Sequence, residues 1–249
     1  MTKIKIVAHR GASGYAPELT FAAFSKALEA GVDSIEVDIH QSADGKVIIF
    51  HDLTLDRTTN STGLVASKTY KELRQLDAGS WFDPAFAGEQ ILLFNEFIEW
   101  VKGKAGIIVE VKYGSQIYPE IEKNILTILK SCGMLHDAVV SSSQVTILNT
   151  FKTIAPGLRL GKVLTPKELW RSLFQYNSFA HKQKLLEHIK EIHPHWSFID
   201  SHFMNWAHSV GLEVFPWTIN KERKIRVMID RGVNGVITDF PDIARRVVK

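Results

Sequence analysis

The sequence predicts an α/β protein, and within that class a single (β/α)8 TIM barrel. Short apolar runs rich in β-branched residues recur eight times along the chain, and segments of helical length separate most of them. A barrel of eight strands and eight helices takes about 250 residues, and this chain has 249. The number of runs and the length therefore indicate the same fold.

The predicted barrel strands are these eight runs, each bounded by Gly, Pro, Asp or His. They cover residues 4–8, 34–38, 107–111, 138–142, 158–163, 192–196, 212–217 and 235–238. We expect helices between them, because Phe21, Phe24 and Leu28 follow the first run at helical spacing, and Ile121 and Ile125 do so after the third.

A further β-rich run, residues 46–50, follows the second strand after only a few residues. The gap contains Asp44-Gly45, a strong hairpin signal, and is too short for a helical crossover of a dozen residues or more. We therefore expect an antiparallel β-hairpin over residues 39–50. With its centre between Asp44 and Gly45, the paired residue numbers sum to 89, so that Asp38 faces His51.

Residues 53–94 are the longest stretch without a clear strand. We expect a loop-rich insertion with one short helix over residues 71–76, too small to hold a core of its own. Residues 1–249 are thus predicted to form one barrel domain, with this small insertion after the hairpin of the second strand.

Composition excludes several classes of protein. A net charge of +3 is too small for a nucleic-acid binder that works by bulk charge. The single cysteine, Cys132, cannot form an intramolecular disulfide, which favours a reducing compartment. No apolar stretch reaches the roughly 18 residues of a membrane-spanning helix, and the N-terminus lacks the apolar segment of a signal peptide. We expect a cytoplasmic protein.

Polar residues gather where the predicted strands and the hairpin end, which is where barrel enzymes carry their reactive groups. They are His9, Arg10, Glu36, Asp38, His51, Glu110 and Lys112. Because side chains alternate along a strand, Glu36 and Asp38 share one face of their strand, and Glu110 and Lys112 likewise share one face of theirs. We therefore expect these side chains to converge at one rim of the barrel.

Three converging carboxylates repel one another unless a cation compensates them. A hard divalent cation accepts carboxylate oxygens and keeps positions open for substrate. With Arg10 and Lys112 added, the rim carries a net positive charge, which suits a singly charged phosphodiester. His9 and His51 are the side chains suited to remove a proton from a nucleophile and to protonate a leaving oxygen.

Further blocks of sequence surround these residues. They are AHRGA at 8–12, APELT at 16–20, EVD at 36–38, DG at 44–45, HD at 51–52, LDRTT at 55–59, LDAGSWF at 76–82, EVK at 110–112, PWTIN at 216–220 and GVITDFP at 235–241. Together and in this order, over about residues 6–243, they closely resemble the glycerophosphodiester phosphodiesterase family, barrel enzymes similar to the catalytic domain of phosphoinositide-specific phospholipases C.

The resemblance implies that Glu36, Asp38 and Glu110 bind a divalent cation, Mg²⁺ or Ca²⁺. It also implies that His9 and His51 are the general acid and base of the reaction. That reaction is the hydrolysis of a glycerophosphodiester, a small molecule, to sn-glycerol 3-phosphate and an alcohol.

The phosphate is expected to be held by Arg10 and Lys112, and Trp217 is expected to line the glycerol side of the pocket. By analogy with the phospholipases, the glycerol 2-hydroxyl attacks phosphorus first and gives a cyclic phosphate, which water then opens.

Two departures from the family pattern bear on substrate choice. Leu19 stands where the family usually has Asn, and residues 91–94 read Ile-Leu-Leu-Phe where it usually has Ile-Pro-Thr-Leu. The first departure affects the turn after the first strand. The second changes a loop that can approach the mouth of the active site. If this run and the insertion form an apolar entrance, a lysophospholipase D-type reaction on longer-chain lipids is an alternative.

Other interpretations stay open at this point. The histidines and Trp217 could be core residues, and the carboxylates could form an ion network with Arg10 and Lys112 without a metal. Two of the carboxylates could serve a glycosidase as acid and nucleophile. A barrel that binds a polyol phosphate without turnover is the alternative outside enzymology.

Overall fold

The computed structural model describes residues 3–165 and 188–248. Within these residues the chain forms ten β-strands. They are β1 (Lys5–His9), β2 (Ser34–Gln41), β3 (Val47–Ile49), β4 (Leu92–Leu93), β5 (Gly106–Val111), β6 (Ala138–Ser142), β7 (Arg159–Leu164), β8 (Glu191–Pro194), β9 (Glu213–Val214) and β10 (Gly235–Thr238).

Eight of these strands are parallel and pair in the order β10-β1-β2-β5-β6-β7-β8-β9. The backbone N–H groups of Asn234 and Ile237 donate to the carbonyls of Val214 and Pro216, each at 3.0 Å, and join β10 to the β9 end of this order. The strands therefore meet around a ring, and the predicted (β/α)8 barrel is confirmed.

The described residues also form eight α-helices. They are α1 (Phe21–Glu29), α2 (Tyr70–Leu73), α3 (Phe94–Val101), α4 (Ile121–Ser131), α5 (Val145–Ile154), α6 (Ser201–Ser209), α7 (Glu222–Asp230) and α8 (Pro241–Val247). Helix α1 begins where Thr20 accepts a hydrogen bond from the N–H of Ala23, and it buries Ala23, Phe24 and Ala27 against the barrel. None of the described helices is long and apolar enough to cross a membrane.

The hairpin after β2 is present, but the predicted register is wrong by one residue. Strands β2 and β3 pair with residue numbers that sum to 88. Asp38 therefore faces Phe50, and the N–H of Phe50 donates to the Asp38 carbonyl at 3.0 Å. The reason is the loop: Gly45 adopts a φ of +76° and ends a three-residue turn, whereas the prediction assumed a two-residue turn. His51 consequently lies one position beyond the pair that Asp38 forms.

The insertion after the hairpin packs on the hairpin through a small apolar cluster. Its members are Ile48, Phe50, Leu55, Val65, Leu73, Ala78 and Ile91. The helix expected over residues 71–76 is shorter, and a capping box of Thr69 and Glu72 starts it at Tyr70.

The apolar run at residues 91–94 joins the sheet of the hairpin and does not form an apolar entrance by itself. Leu92 and Leu93 form β4, which pairs antiparallel with β3, and Phe94 begins α3. Ile91, Leu92 and Phe94 are buried. The run is apolar because it extends the sheet of the hairpin over the core, and only Leu93 is partly exposed.

The interior of the barrel is layered. Val7, Ile108, Phe215 and Ile237 form a buried apolar layer across it. Since side chains alternate along each strand, the residues two positions before and after these ones also face the interior. Those positions carry polar groups at both ends of the barrel.

Candidate active site

A cavity of about 360 Å³ opens at the carboxyl ends of the barrel strands. It is lined by His9, Arg10, Glu36, His51, Glu110, Lys112, Tyr113, Ser141, Ser143, Gln144, Val163, Thr165, His193, Trp217 and Ile237. Seven of the eight residues predicted from the sequence are among them. The eighth, Asp38, contacts two of the seven, Arg10 and Lys112.

The three predicted metal ligands lie together. Glu36, Asp38 and Glu110 each place a carboxylate oxygen within 4.8 Å of the others. Glu36 Oε1 and Asp38 Oδ2 are buried and have no hydrogen-bond partner among the described residues. A buried carboxylate oxygen without a partner is costly, so the donor set fits a hard divalent cation that accepts oxygen ligands.

The charges around these carboxylates do not balance them. Lys112 Nζ donates to Asp38 Oδ1 at 2.6 Å, and Arg10 Nε lies 3.2 Å from Asp38 Oδ2 without the alignment of a hydrogen bond. Burial opposes ionisation of Asp38, but Lys112 and Arg10 hold its pKa far below the usual range. Burial raises the pKa of Glu36 and of Glu110, and the neighbouring carboxylates raise both further. A bound cation would offset this excess of negative charge.

The turn after β1 aims the backbone of Arg10 at this cluster. Arg10 has a φ of +58°, in the left-handed region that residues other than glycine seldom adopt, and its N–H donates to Glu36 Oε2 at 3.0 Å. Leu19 has a φ of +61°, and its N–H donates to the Arg10 carbonyl at 3.0 Å. The family's usual Asn tolerates this conformation better than Leu does. The Leu19 side chain is buried in the core, so it packs there while its backbone adopts the left-handed conformation of the turn.

His9 is held by residues from the opposite end of the chain. Its Nδ1 lies 2.7 Å from Asp239 Oδ1, just after β10. Asp239 also accepts hydrogen bonds from Asn220 Nδ2 at 2.6 Å and from the Ser13 hydroxyl at 3.0 Å. These contacts fix the imidazole at the rim of the cavity, with its Nε2 edge turned away from Asp239.

His51 is held in the same way from within the insertion. Its Nδ1 lies 2.5 Å from Asp52 Oδ1, and Arg57 Nε donates to Asp52 Oδ2 at 2.6 Å. Burial opposes ionisation of Asp52, but hydrogen bonds from Arg57 and His51 outweigh it and lower its pKa to about 2. Burial also lowers the pKa of His51, which favours the neutral imidazole.

Arg57 and Glu18 connect this pair to Arg10. Glu18 accepts two hydrogen bonds from Arg57, at 2.7 and 2.9 Å, and one from Arg10 Nη1 at 3.0 Å. A continuous chain of charged hydrogen bonds therefore runs from His51 through Asp52, Arg57 and Glu18 to Arg10.

Trp217 lines the cavity from the segment after β9. Its Nε1–H donates to the carbonyl of His193 at 2.7 Å, and its ring meets the edge of His195 at a centroid distance of 5.6 Å. The indole is therefore fixed in place with part of its surface exposed to the cavity.

Sequence reasoning assigned no role to five polar residues that hold the predicted site residues. They are Glu18, Asp52, Arg57, Asn220 and Asp239. All five lie inside the blocks that match the family. A charged or amide residue within such a block, next to a predicted site residue in the fold, was the signal that could have identified them.

Comparisons with known proteins show which family the chain resembles. The model of the glycerophosphoryl diester phosphodiesterase family matches residues 9–243. A glycerophosphodiester phosphodiesterase of Caldanaerobacter subterraneus subsp. tengcongensis is 33% identical over 99% of this chain and 98% of its own length.

Two solved structures are also similar. A glycerophosphodiester phosphodiesterase of Agrobacterium tumefaciens is 30% identical, with a TM-score of 0.83 over 98% of this chain and 100% of that one. An Oleispira antarctica phosphodiesterase in complex with the product sn-glycerol-3-phosphate is 28% identical, with a TM-score of 0.88 over 99% of this chain and 97% of that one.

Proposed function

This chain belongs to the glycerophosphoryl diester phosphodiesterase family, and on that premise we propose that it is a metal-dependent enzyme that hydrolyses glycerophosphodiesters to sn-glycerol 3-phosphate and an alcohol. One observation carries the proposal: three clustered carboxylates of uncompensated charge, Glu36, Asp38 and Glu110, lie at a cavity that two imidazoles line. The Oleispira antarctica relative, in complex with sn-glycerol-3-phosphate, supports the choice of product.

Glu36, Asp38 and Glu110 would hold a divalent cation, Mg²⁺ or Ca²⁺, both of which take oxygen ligands. When bound, the cation supplies Lewis-acid stabilisation of the charge that develops on the phosphoryl oxygens. The two buried oxygens without partners, on Glu36 and Asp38, support this assignment.

Arg10 and Lys112 bind and orient the phosphodiester. Both side chains reach the cavity from beside Asp38, and both stay protonated because nearby carboxylates raise the pKa of each group despite its burial. The planar guanidinium can donate two parallel hydrogen bonds to phosphate oxygens, while the ammonium acts as a point charge.

His9 and His51 move the protons. One imidazole takes the proton of the glycerol 2-hydroxyl as that oxygen bonds to phosphorus. The other protonates the alcohol oxygen as its bond to phosphorus breaks. The products of this step are the free alcohol and a cyclic glycerol phosphate. Water then opens the ring with the two imidazoles in exchanged roles, and sn-glycerol 3-phosphate results.

The experiment is a coupled assay for glycerol 3-phosphate over a panel of glycerophosphodiesters, with EDTA and then with Mg²⁺ or Ca²⁺ added back. We expect release that EDTA stops and that one of the cations restores. A protein that glycerol 3-phosphate stabilises against heat but that releases none would instead be a non-catalytic binding barrel. Turnover of an aryl glycoside that EDTA does not affect would indicate a glycosidase.

The proton-transfer roles are tested by His9→Ala and His51→Ala. Each should lose at least about a hundredfold in kcat, as expected when a positioned acid or base is removed. His136→Ala is the matched control, because His136 is exposed and precedes the amino end of β6. A near-normal rate in either site variant would refute the role assigned to that histidine.

The apolar run at residues 91–94 is mostly buried and gives no support to a lysophospholipase D-type reaction. We propose small glycerophosphodiesters as the substrates. Cys132 is a buried free thiol, which suits the reducing cytoplasm, and we propose that the reaction takes place there.

A further inference from the structure

The lining of the cavity has two chemically different halves. Strands β1, β2 and β5 and the hairpin supply the charged half, which holds the carboxylates, Arg10, Lys112 and the two proposed proton-transfer histidines. Strands β6 to β10 supply the other half. Among its lining residues in the described part of the chain are Ser141, Val163, His193, Trp217 and Ile237, and none of these is a carboxylate, lysine or arginine.

Ser141 is the first polar group of this second half. It lies on β6, paired in register with Glu110 on β5 and with Gly161 on β7. Its side chain lines the cavity and is only 1% exposed, yet its hydroxyl has no hydrogen-bond partner among the described residues. A buried hydroxyl that is left unpaired costs free energy, so this one is suited to a partner that arrives with a ligand.

His193 is the second polar group. Its Nε2 lies 3.2 Å from Glu191 Oε2, and Arg159 Nε donates to Glu191 Oε1 at 3.0 Å. Burial opposes ionisation of Glu191, but His193 and Arg159 outweigh it and lower its pKa. An ionised carboxylate accepts a hydrogen bond from the Nε2–H of His193, and in a ring that carries one proton this leaves Nδ1 as an acceptor. Nδ1 has no partner among the described residues.

Gly161 gives the two groups room. A Cβ at this position would lie 3.0 Å from His193 Cε1 and 3.3 Å from Ser141 Cβ, tighter than ordinary contact. The absence of a side chain at residue 161 therefore keeps the imidazole beside Ser141, in the floor of the cavity.

We propose that the Ser141 hydroxyl and His193 Nδ1 bind the primary hydroxyl of the glycerol arm and leave its 2-hydroxyl to the proton-transfer histidines, so that glycerol lies in the inner half of the cavity and the alcohol arm points to the mouth. A phosphodiester held by the charged half has two arms, and only one can occupy the inner half. An alcohol hydroxyl both donates and accepts, which matches one hydroxyl and one acceptor nitrogen. Val163 and Trp217 can cover the carbon atoms between the hydroxyls.

This inference rests on the proposed function, and it explains how one site can accept substrates with different alcohol arms. The glycerol arm is common to all substrates and meets fixed polar groups, while the alcohol arm varies and faces the open side. Ser141 and His193 are then specificity-determining residues that act through binding.

The test compares two substrates in Ser141→Ala. One is glycerophosphocholine, and the other is 2-hydroxypropyl phosphocholine, which keeps the attacking 2-hydroxyl but lacks the primary hydroxyl of glycerol. We expect the ratio of their kcat/KM values to fall about tenfold, the effect of losing one good hydrogen bond. Ser131→Ala, at the exposed end of α4, is the matched control and should leave the ratio as it is. An equal fall for both substrates would overturn the proposal.

A binding measurement keeps this inference separate from the proposed function. Calorimetry compares sn-glycerol 3-phosphate with methyl phosphate, which has the same charged group and no hydroxyls. We expect the wild-type protein to prefer glycerol 3-phosphate and Ser141→Ala to lose about tenfold of that preference. An unchanged preference in the variant would refute the glycerol site. Failure of the wild-type protein to release glycerol 3-phosphate would refute the proposed function instead, whatever the binding result.

Discussion

The two ends of the barrel interior each carry a cluster of charged residues, and the clusters differ in how well their charges match. The mouth cluster comprises Arg10, Glu36, Asp38, Glu110 and Lys112. It contains three carboxylates and two cations. Two of its buried oxygens have no hydrogen-bond partner among the described residues.

The base cluster comprises Lys5, Arg159, Glu191 and Glu213, near the amino ends of the strands. Here two cations face two carboxylates. Arg159 contacts Glu191 at 3.0 Å and Glu213 at 2.8 Å, and Lys5 Nζ lies 3.4 Å from Glu213. The pKa of Glu191 is lowered, whereas burial and neighbouring carboxylates raise the pKa of Glu36 and of Glu110 at the mouth.

The difference separates a charge cluster that serves the fold from one that is suited to a ligand. The same strands carry both, so strand geometry does not distinguish them. A cluster whose charges are matched within the protein needs nothing further, whereas one with surplus buried negative charge is stable only with a cation or with raised pKa values.

We expect the largest difference in activity between variants when one carboxylate is removed from each cluster in turn, which tests whether the two clusters differ in role. Glu110→Gln should lose at least about a hundredfold in chelator-sensitive activity, since it removes a proposed ligand of the cation. Glu213→Gln removes a carboxylate of the base cluster and should keep kcat/KM within about twofold. The coupled glycerol 3-phosphate assay, with and without EDTA, measures both.

A check that both variants are folded is the control for this experiment. Circular dichroism should show Glu110→Gln as folded as the wild-type protein, because the glutamine relieves repulsion at the mouth. Full EDTA-sensitive activity in Glu110→Gln would show that Glu110 is not a ligand and that the mouth cluster is structural like the base.

A smaller effect on kcat is expected at Arg57, which tests whether residues outside the mouth cluster support it. Arg57 contacts neither the cavity nor the three carboxylates, but it holds Asp52 and Glu18 and thereby orients His51 and Arg10. Arg57→Gln should lower kcat about tenfold, as expected for a residue that positions another, with a smaller change in KM.

Arg226→Gln is the matched control, because Arg226 forms an exposed ion pair with Glu222 on α7. Arg57→Lys should recover only part of the rate, since an ammonium cannot make the forked contacts of a guanidinium. A wild-type kcat in Arg57→Gln would show that Arg57 does not position His51 or Arg10 for the reaction.

The smallest effect concerns stability at the base. Because the folded pKa of Glu191 lies below its ordinary value of 4.5, its ionised form stabilises the fold above that value, and this stability is lost as the pH falls through the folded pKa. Glu191→Gln should therefore lower the free energy of unfolding by about 1–3 kcal/mol near neutral pH.

Urea unfolding at several pH values checks this prediction. The difference between wild type and Glu191→Gln should shrink as the pH falls below about 4.5, and groups at the mouth cancel in the difference. A difference that is the same at pH 7 and pH 3.5 would show that the charge of Glu191 contributes nothing and that only its packing matters.

Much of the fold could be predicted because its signals are local. Buried parallel strands are short apolar runs, and the predicted run at 107–111 differs from Gly106–Val111 by one residue. The convergence of Glu36, Asp38 and Glu110 could also be predicted, because the carboxyl ends of parallel strands meet at one rim.

The remaining features depend on contacts that are not local. Asp239 reaches His9 from 230 positions away in the chain, and no spacing rule links them. The register of the hairpin depends on whether its loop has two or three residues, and Asp-Gly fits both. An apolar run such as residues 91–94 reads the same whether it is buried or exposed, and only the sheet beside it decides.

The apolar layer of Val7, Ile108, Phe215 and Ile237 has a practical consequence. It divides the barrel into a reactive compartment and a scaffold compartment. Among the residues that the structure describes, the hydrogen bond between Glu191 and His193 is the one side-chain hydrogen bond that joins the two. An engineer who wishes to stabilise or immobilise the protein can thus alter Lys5, Glu213 and their surroundings, and should leave that one link untouched.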